Sequence, residues 1–214
     1  MNSPLDKIWN PDNYKVDHSK AVLIKSTTVF YLWFMARASF TYKTLDEILN
    51  DKTIKAKAKV TSIGELLLNN KISLQQLIDK AKTANDANKA SIIESMEYAS
   101  KTNPEIIDEK GFEFAIESLR SDAPRVKWES AKVITNTAHL FPKLLKKAAA
   151  NLIGNTEYSG NVVRWSAAGA LSKIIQCNSQ LNKELIPAIE AIEKREDDNA
   201  IKKIYQQGLK KAAK

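Results

Sequence analysis

The chain has 214 residues, with 33 Lys and Arg against 25 Asp and Glu, two His, one Cys, six Gly and six Pro. A single cysteine excludes an intrachain disulfide and fits a reducing compartment, so a cytoplasmic location is expected. So few Gly and Pro argue against a fold of many tight hairpins, and the net charge of +8 permits an acidic partner, nucleic acid included.

The opening residues, MNSPLDKIWNPDNYKVDHSK, lack the apolar core behind a basic start that a secretory signal needs. The most apolar run, TTVFYLWFMA over residues 27–36, is about half the length of a membrane span. It is expected to be a buried helix, with no membrane partner. Next comes a helical pattern, TIKAKAKVTSIGELLL over residues 53–68, whose start carries one of the two densest Lys runs; the tail GLKKAAK carries the other.

From there a two-helix unit recurs. Short amphipathic helices are predicted at ISLQQLIDKAK (72–82), GFEFAIESLRS (111–121), PKLLKKAAANLIG (142–154) and ELIPAIEAIEKR (184–195), each with apolar residues three and four apart. Turn signals follow them: TANDAN, SDAP, GNTEYSGN and REDDN. Each turn leads into a longer helix. Asp122, Asn161 and Asp198 stand just ahead of three of these as N-cap candidates, and Pro124 suits a first helical turn.

The period is 37–38 residues. Met96, Ile134, Leu171 and Leu209 hold one equivalent position, spaced 38, 37 and 38; Lys89, Lys127, Arg164 and Lys202 hold another with the same spacings. Val126, Val163 and Ile201 precede three of these basic residues, and a weaker first copy puts Lys55 ahead of Lys89 by 34. No segment alternates with period two, so no sheet is expected.

The run VVRWSAAGAL, through Val163, Arg164, Ala167, Ala170 and Leu171, resembles the second-helix pattern of HEAT repeats. Val126, Lys127, Ser130, Val133 and Ile134 match it more loosely, as do Ile201, Lys202, Tyr205, Gly208 and Leu209. The resemblance covers roughly residues 50–214. It implies an all-α, right-handed α-α superhelix, a solenoid of about five HEAT-like (armadillo-type) helical hairpins. Residues 1–45 would form an N-terminal helical cap and residues 46–214 one continuous array. The resemblance also implies that the basic row makes a ladder of bonds to loop Asp residues of neighbouring units; a phosphate track is the alternative for the same row. Arg125 and the Lys55–Lys59 cluster are less committed cations.

On a helical wheel with Val126 at zero, Ser130, Val133, Ile134 and Thr137 form the buried stripe, while Trp128 falls about 200° away. Trp165 stands opposite the stripe of its own helix in the same way. In HEAT-type solenoids the second helices line the concave surface, which would set the two Trp about 10 Å apart on it. Gly169, one turn beyond Trp165, would leave room beside the ring. Lys132, Thr135 and His139 extend the face from Trp128, and Lys203, Gln207 and Lys210 extend it on the last helix. Glu94 and Glu97 offer acid on the preceding helix. The candidate partner-binding set is Trp128, Trp165, Lys132, Arg125, Arg164, Gly169, His139 and Lys203.

Little here points to chemistry. His18 and His139 have no Cys or carboxylate at ligand spacing, so no metal is expected. Neither GxxxxGK[ST] nor GxGxxG occurs, so no cofactor is expected, and Cys177 reads as a small buried residue. The chain also resembles, distantly and in architecture, the HEAT-like alkylpurine DNA glycosylases, which carry a Trp-lined basic cleft beside a catalytic Asp. It departs from them at the carboxylate. Lys132 follows Trp128 by a turn, Gly169 follows Trp165, and Glu129 is expected to point about 100° away from Trp128. The expected function is a non-enzymatic scaffold holding a protein or peptide partner. The alternative is a nucleic-acid-binding protein, a degenerate relative of those glycosylases.

Overall fold

The structure is a computed structural model that describes residues 43–177 and 179–213. His18, the apolar run 27–36 and nearly all of the expected cap lie outside the described residues.

Among the described residues ten α-helices follow one another: α1 Leu45–Asn50, α2 Ala56–Leu68, α3 Leu74–Thr83, α4 Asp86–Thr102, α5 Glu109–Ser118, α6 Pro124–Thr137, α7 Leu145–Asn155, α8 Asn161–Cys177, α9 Ser179–Arg195 and α10 Asn199–Ala212. Among the described residues there is no strand, and no helix is long and apolar enough to cross a membrane.

Local chemistry sets many of the helix starts. Thr44 and Ser73 form capping boxes with Glu47 and Gln76, satisfying two otherwise orphaned N–H groups at each start. Asn85, Asp108 and Asp198 cap α4, α5 and α10 through their side chains. Two expected caps are corrected. The N-cap of α6 is Ala123, without a side-chain bond, because Pro124 occupies the first turn and removes one orphan donor. Asn161 lies inside α8 rather than ahead of it. The helix expected at 184–195 starts earlier, at Ser179, and carries Pro187 in its interior.

The packing is that of a solenoid. The second helices of the hairpins stack in one row, α2 on α4, α4 on α6, α6 on α8 and α8 on α10, while α3, α5, α7 and α9 flank it. One continuous core runs between the two sets, including Leu77, Ile92, Phe112, Ile116, Leu145, Leu152, Ile174 and Ile189. The equivalent residues Met96, Ile134 and Leu171 are fully buried. Their last copy, Leu209, is only partly buried, because among the described residues no further unit covers α10. The array is thus an all-α solenoid built from the 37–38-residue period.

Candidate functional site

Position within the repeat decides which side chains the helix row presents. Ala90, Trp128, Trp165 and Lys203 are equivalent on α4, α6, α8 and α10, and one turn further come Glu94, Lys132, Gly169 and Gln207. The next turn gives Tyr98, Asn136, Lys173 and Lys211.

On α6 the face is wired to α4. Arg125 pairs with Glu94, and Lys132 reaches both Glu129 at 2.9 Å and Glu97 at 3.4 Å. Asn136 donates to the Ser100 hydroxyl at 3.0 Å and to the Glu97 carbonyl. Glu129 is the centre of this network. It is 4% exposed and accepts from the Trp128 indole N–H at 2.5 Å as well as from Lys132. Burial pushes its carboxyl above the ordinary range, partly offset by the bonds from Lys132 and Trp128. Burial also works against the Lys132 ammonium, but Glu129 and Glu97 together outweigh it and hold that group above its usual range.

The expectation that Glu129 points away from Trp128 is therefore corrected. A wheel gives Cβ directions, and an indole is long enough to bring its N–H to the neighbouring carboxylate. Glu129 was missed as a site residue because its burial follows from the packing of α6 on α4, which the wheel of α6 alone does not show. Trp128 itself is only half-buried.

On α8 the face is different. Trp165 is 49% exposed and Val162, one turn before it, is 52% exposed; they are the exposed large hydrophobics of the described residues. A Cβ placed on Gly169 meets nothing within 4 Å, so open space lies one turn beyond Trp165. Val162, Trp165, Gly169 and Lys173 recur at three and four along one stripe of the helix. Val162 was absent from the candidate set. The signal for it was the substitution of valine where α6 has Arg125 and α10 has Ala200. Lys203, Gln207, Lys210 and Lys211 are exposed on α10.

The basic row has other work. Arg164 uses its guanidinium on five acceptors: both carboxylate oxygens of Glu196 at 3.1 and 3.2 Å, the Tyr158 and Ser159 carbonyls, and the Asn161 side chain. Lys127 donates to the Leu119 carbonyl at 3.0 Å and to Asn155 at 2.9 Å, and lies over the Tyr158 ring. Lys89 lies over the Phe114 ring. These bonds clamp a unit's own loop to the next unit, but through Asn155 and Glu196 rather than loop Asp residues. Arg164 is thus turned toward a polar cavity of about 280 Å³, lined also by Glu157, Arg195 and Asp197, and away from Trp165.

The structure therefore joins Trp128 and Lys132 through Glu129, pairs Arg125 separately with Glu94, leaves Trp165 and Gly169 as a separate exposed stripe, and puts Lys203 on the helix packed beside that stripe. His139 is exposed in the 3₁₀ turn Ala138–Leu140, beyond the end of α6. In the Lys55–Lys59 cluster, Lys55 and Lys57 are exposed, and Lys59 donates to the Leu49 carbonyl. Burial pushes the Cys177 thiol up, which disfavours its thiolate.

No protein-family model matches the chain, and no curated protein does. Solved structures do. A computationally designed armadillo repeat protein for modular peptide recognition is similar at 16% identity and a TM-score of 0.62, over 78% of this chain and 80% of the other. A designed armadillo repeat protein in complex with the peptide (KR)4 is similar at 17% identity and a TM-score of 0.63, over 78% and 80%. A chain from the complex of CpcE and CpcF of phycocyanin lyase from Nostoc sp. PCC7120 is similar at 16% identity and 0.62, over 77% and 96%. Together with the stacked hairpins, these likenesses show that the chain has the fold of a HEAT/armadillo-type helical repeat protein.

Proposed function

We propose that the chain is a non-enzymatic scaffold that holds a protein or peptide partner on the face of its second-helix row, the concave face in solenoids of this type. The observation that carries this reading is Trp165, half exposed beside Val162 and the open space at Gly169. An exposed Trp buries a large area on binding while losing few rotamers, so it makes an efficient anchor. Trp128, Lys132 and Arg125 form the neighbouring wall, Trp128 ordered by its bond to Glu129 within α6 and the two cations by their ion pairs to α4. The fold is shared with designed proteins for peptide recognition, which supports this use of the row. The cytoplasm, with its reduced thiols, suits the single cysteine.

The test is selection of a random 12-residue peptide library displayed on phage against the full chain, with Trp165→Ala as comparator. Peptides that bind the wild type and lose at least tenfold on Trp165→Ala are the expected result. Peptides that bind both equally would place the site elsewhere.

The second reading, nucleic-acid binding, is favoured by the net charge of +8 and by the exposed Lys203, Lys210 and Lys211. It predicts micromolar or tighter binding of a short labelled DNA duplex in an anisotropy titration, falling steeply between two salt concentrations as counterions are released. No binding at low salt would remove it.

A further inference from the structure

Charge is distributed unevenly along the helix row. On the α4–α6 side, the cations Arg125 and Lys132 face three carboxylates, Glu94, Glu97 and Glu129, and are paired with them. Among the described residues, the one cation on that stripe without an ion pair is Lys101, exposed in the last turn of α4. On the α8–α10 side, Lys173, Lys203, Lys210 and Lys211 stand without an ion pair among the described residues. Three of them frame the apolar stripe. Lys203 is the repeat equivalent of Trp165, and Lys211 is the equivalent of Lys173, so each pair lies side by side on adjacent helices. Adjacent helix axes are about 10 Å apart, and Lys203 and Lys211 are about 12 Å apart along α10.

We infer that the partner segment is an acidic, amphipathic stretch of protein. It seats a large apolar side chain against Val162, Trp165 and the space at Gly169, and lays carboxylates on Lys173, Lys203 and Lys211. This rests on the scaffold reading and specifies its ligand. A polyanion such as a nucleic-acid backbone is matched less well. A uniform phosphate track across the row would run from the free lysines onto the Glu94, Glu97 and Glu129 carboxylates, where repulsion opposes it. A peptide can gather its acids at one end. It can also fill the stripe at Val162 and Trp165, where a base would find a single ring to stack on.

The phage-selected pool distinguishes the alternatives. Sequences enriched on the full chain should be acidic, with an aromatic or large aliphatic residue among the acids. A synthetic peptide of the most enriched sequence should bind Trp165→Ala at least tenfold more weakly. It should lose about tenfold on the double charge reversal Lys203→Glu with Lys211→Glu. Both lysines are exposed, so that variant should keep the wild-type circular dichroism and melting profile. A second selection on it should turn the enriched pool away from acidic sequences. If the enriched peptides depend on Trp165 but are neutral or basic, the inference fails while the scaffold reading stands. If no Trp165-dependent peptide is enriched, both fail. Duplex DNA whose binding is abolished by the charge reversal, in a chain that enriches no peptide, would replace both with the nucleic-acid reading. Self-association through Trp165, seen as a sedimentation change lost in Trp165→Ala, would overturn the inference in favour of a second copy of the chain.

Discussion

Trp128 donates its indole N–H to the carboxylate of Glu129, its immediate neighbour in the chain, at 2.5 Å. Residues one apart on a helix point about 100° away from each other. The carboxylate also accepts from Lys132, which lies between the two around the helix and so turns it toward the indole, and the packing of α6 on α4 buries it.

That geometry predicts a pH signature. The carboxyl of Glu129 is raised, so between the ordinary carboxylate value of 4.5 and its folded value the native state binds its proton more readily than the unfolded chain does. Its contribution to stability is greatest below that window and is lost as pH rises through it. Glu129→Gln keeps an acceptor for the indole and removes the titration. Urea unfolding at pH 4 and at pH 7 should show the Gln variant gaining on the wild type at the higher pH. Glu129→Ala, which strands the indole N–H and half of the Lys132 pairing, should lose about 2 kcal/mol at pH 7. An unchanged difference between wild type and Glu129→Gln at the two pH values would mean that burial does not govern this group.

The repeat register was legible in the sequence because the same packing demand returns in each unit. Met96, Ile134 and Leu171 must fill equivalent gaps between a short and a long helix, and only large apolar residues do so. Trp165 was legible for a related reason: its helix supplies a buried stripe of small and apolar residues on the other side. Glu129 was not legible. Its burial depends on how tightly α6 packs against α4, a helix more than twenty residues earlier in the chain. Nor was the role of Arg164, read both as a binding residue and as a rung of a ladder. Two of its five acceptors are carbonyls of a loop, Tyr158 and Ser159, and sequence does not show which way loop carbonyls point. Val162 was overlooked because a valine before the pattern looks like core, and only the start of α8 at Asn161 places it outward.

The Arg164 clamp should be a large single contributor to stability. Glu196 has a side chain 4% exposed and pairs with the guanidinium through both oxygens. Arg164→Ala would leave that carboxylate buried, with only the backbone N–H groups of Asp197 and Asp198 as donors. Breaking a buried pair from one side costs about 3 kcal/mol. For a chain of this size that corresponds to a melting temperature lower by roughly 9 °C. Arg164→Lys should fall between the two, since it restores charge without the planar fork. A loss of under about 2 °C for Arg164→Ala would show that the loop is held by its other bonds.

Two glycines should respond with opposite signs. Gly169 lies inside α8 with open space where a Cβ would go, so Gly169→Ala should stabilise the chain by up to about 1 kcal/mol through helix propensity. Gly208 lies where α10 crosses α8. A Cβ there would fall 2.5 Å from the Ser172 side chain and 3.0 Å from its backbone Cα. Gly208→Ala must therefore push the two helices apart, at a cost of about 2 kcal/mol. Urea midpoints of the two variants check both directions. Equal effects would mean that the α8–α10 contact yields more easily than its geometry implies.

The two tryptophans, equivalent in the repeat, should separate when each is removed. Trp165 is 49% exposed and, among the described residues, has no bonded partner that orders it, so Trp165→Ala should change stability by no more than about 0.5 kcal/mol. Trp128 is half-buried and anchors the Glu129 network, so Trp128→Ala should cost about 2 kcal/mol, below the loss typical of a fully buried ring. The sequence pattern alone predicts that replacing both by Ala abolishes binding without unfolding the protein, and the network around Trp128 adds a loss of stability to that expectation. Fluorescence separates the two without unfolding the protein. The component missing from Trp165→Phe, obtained by subtraction from the wild type, should be red-shifted and strongly quenched by acrylamide. The component missing from Trp128→Phe should be bluer and better protected. Addition of a selected peptide should shift the Trp165 component to the blue and shield it, while the Trp128 component moves little. If the peptide leaves the Trp165 component open to acrylamide, the anchor lies elsewhere on the solenoid.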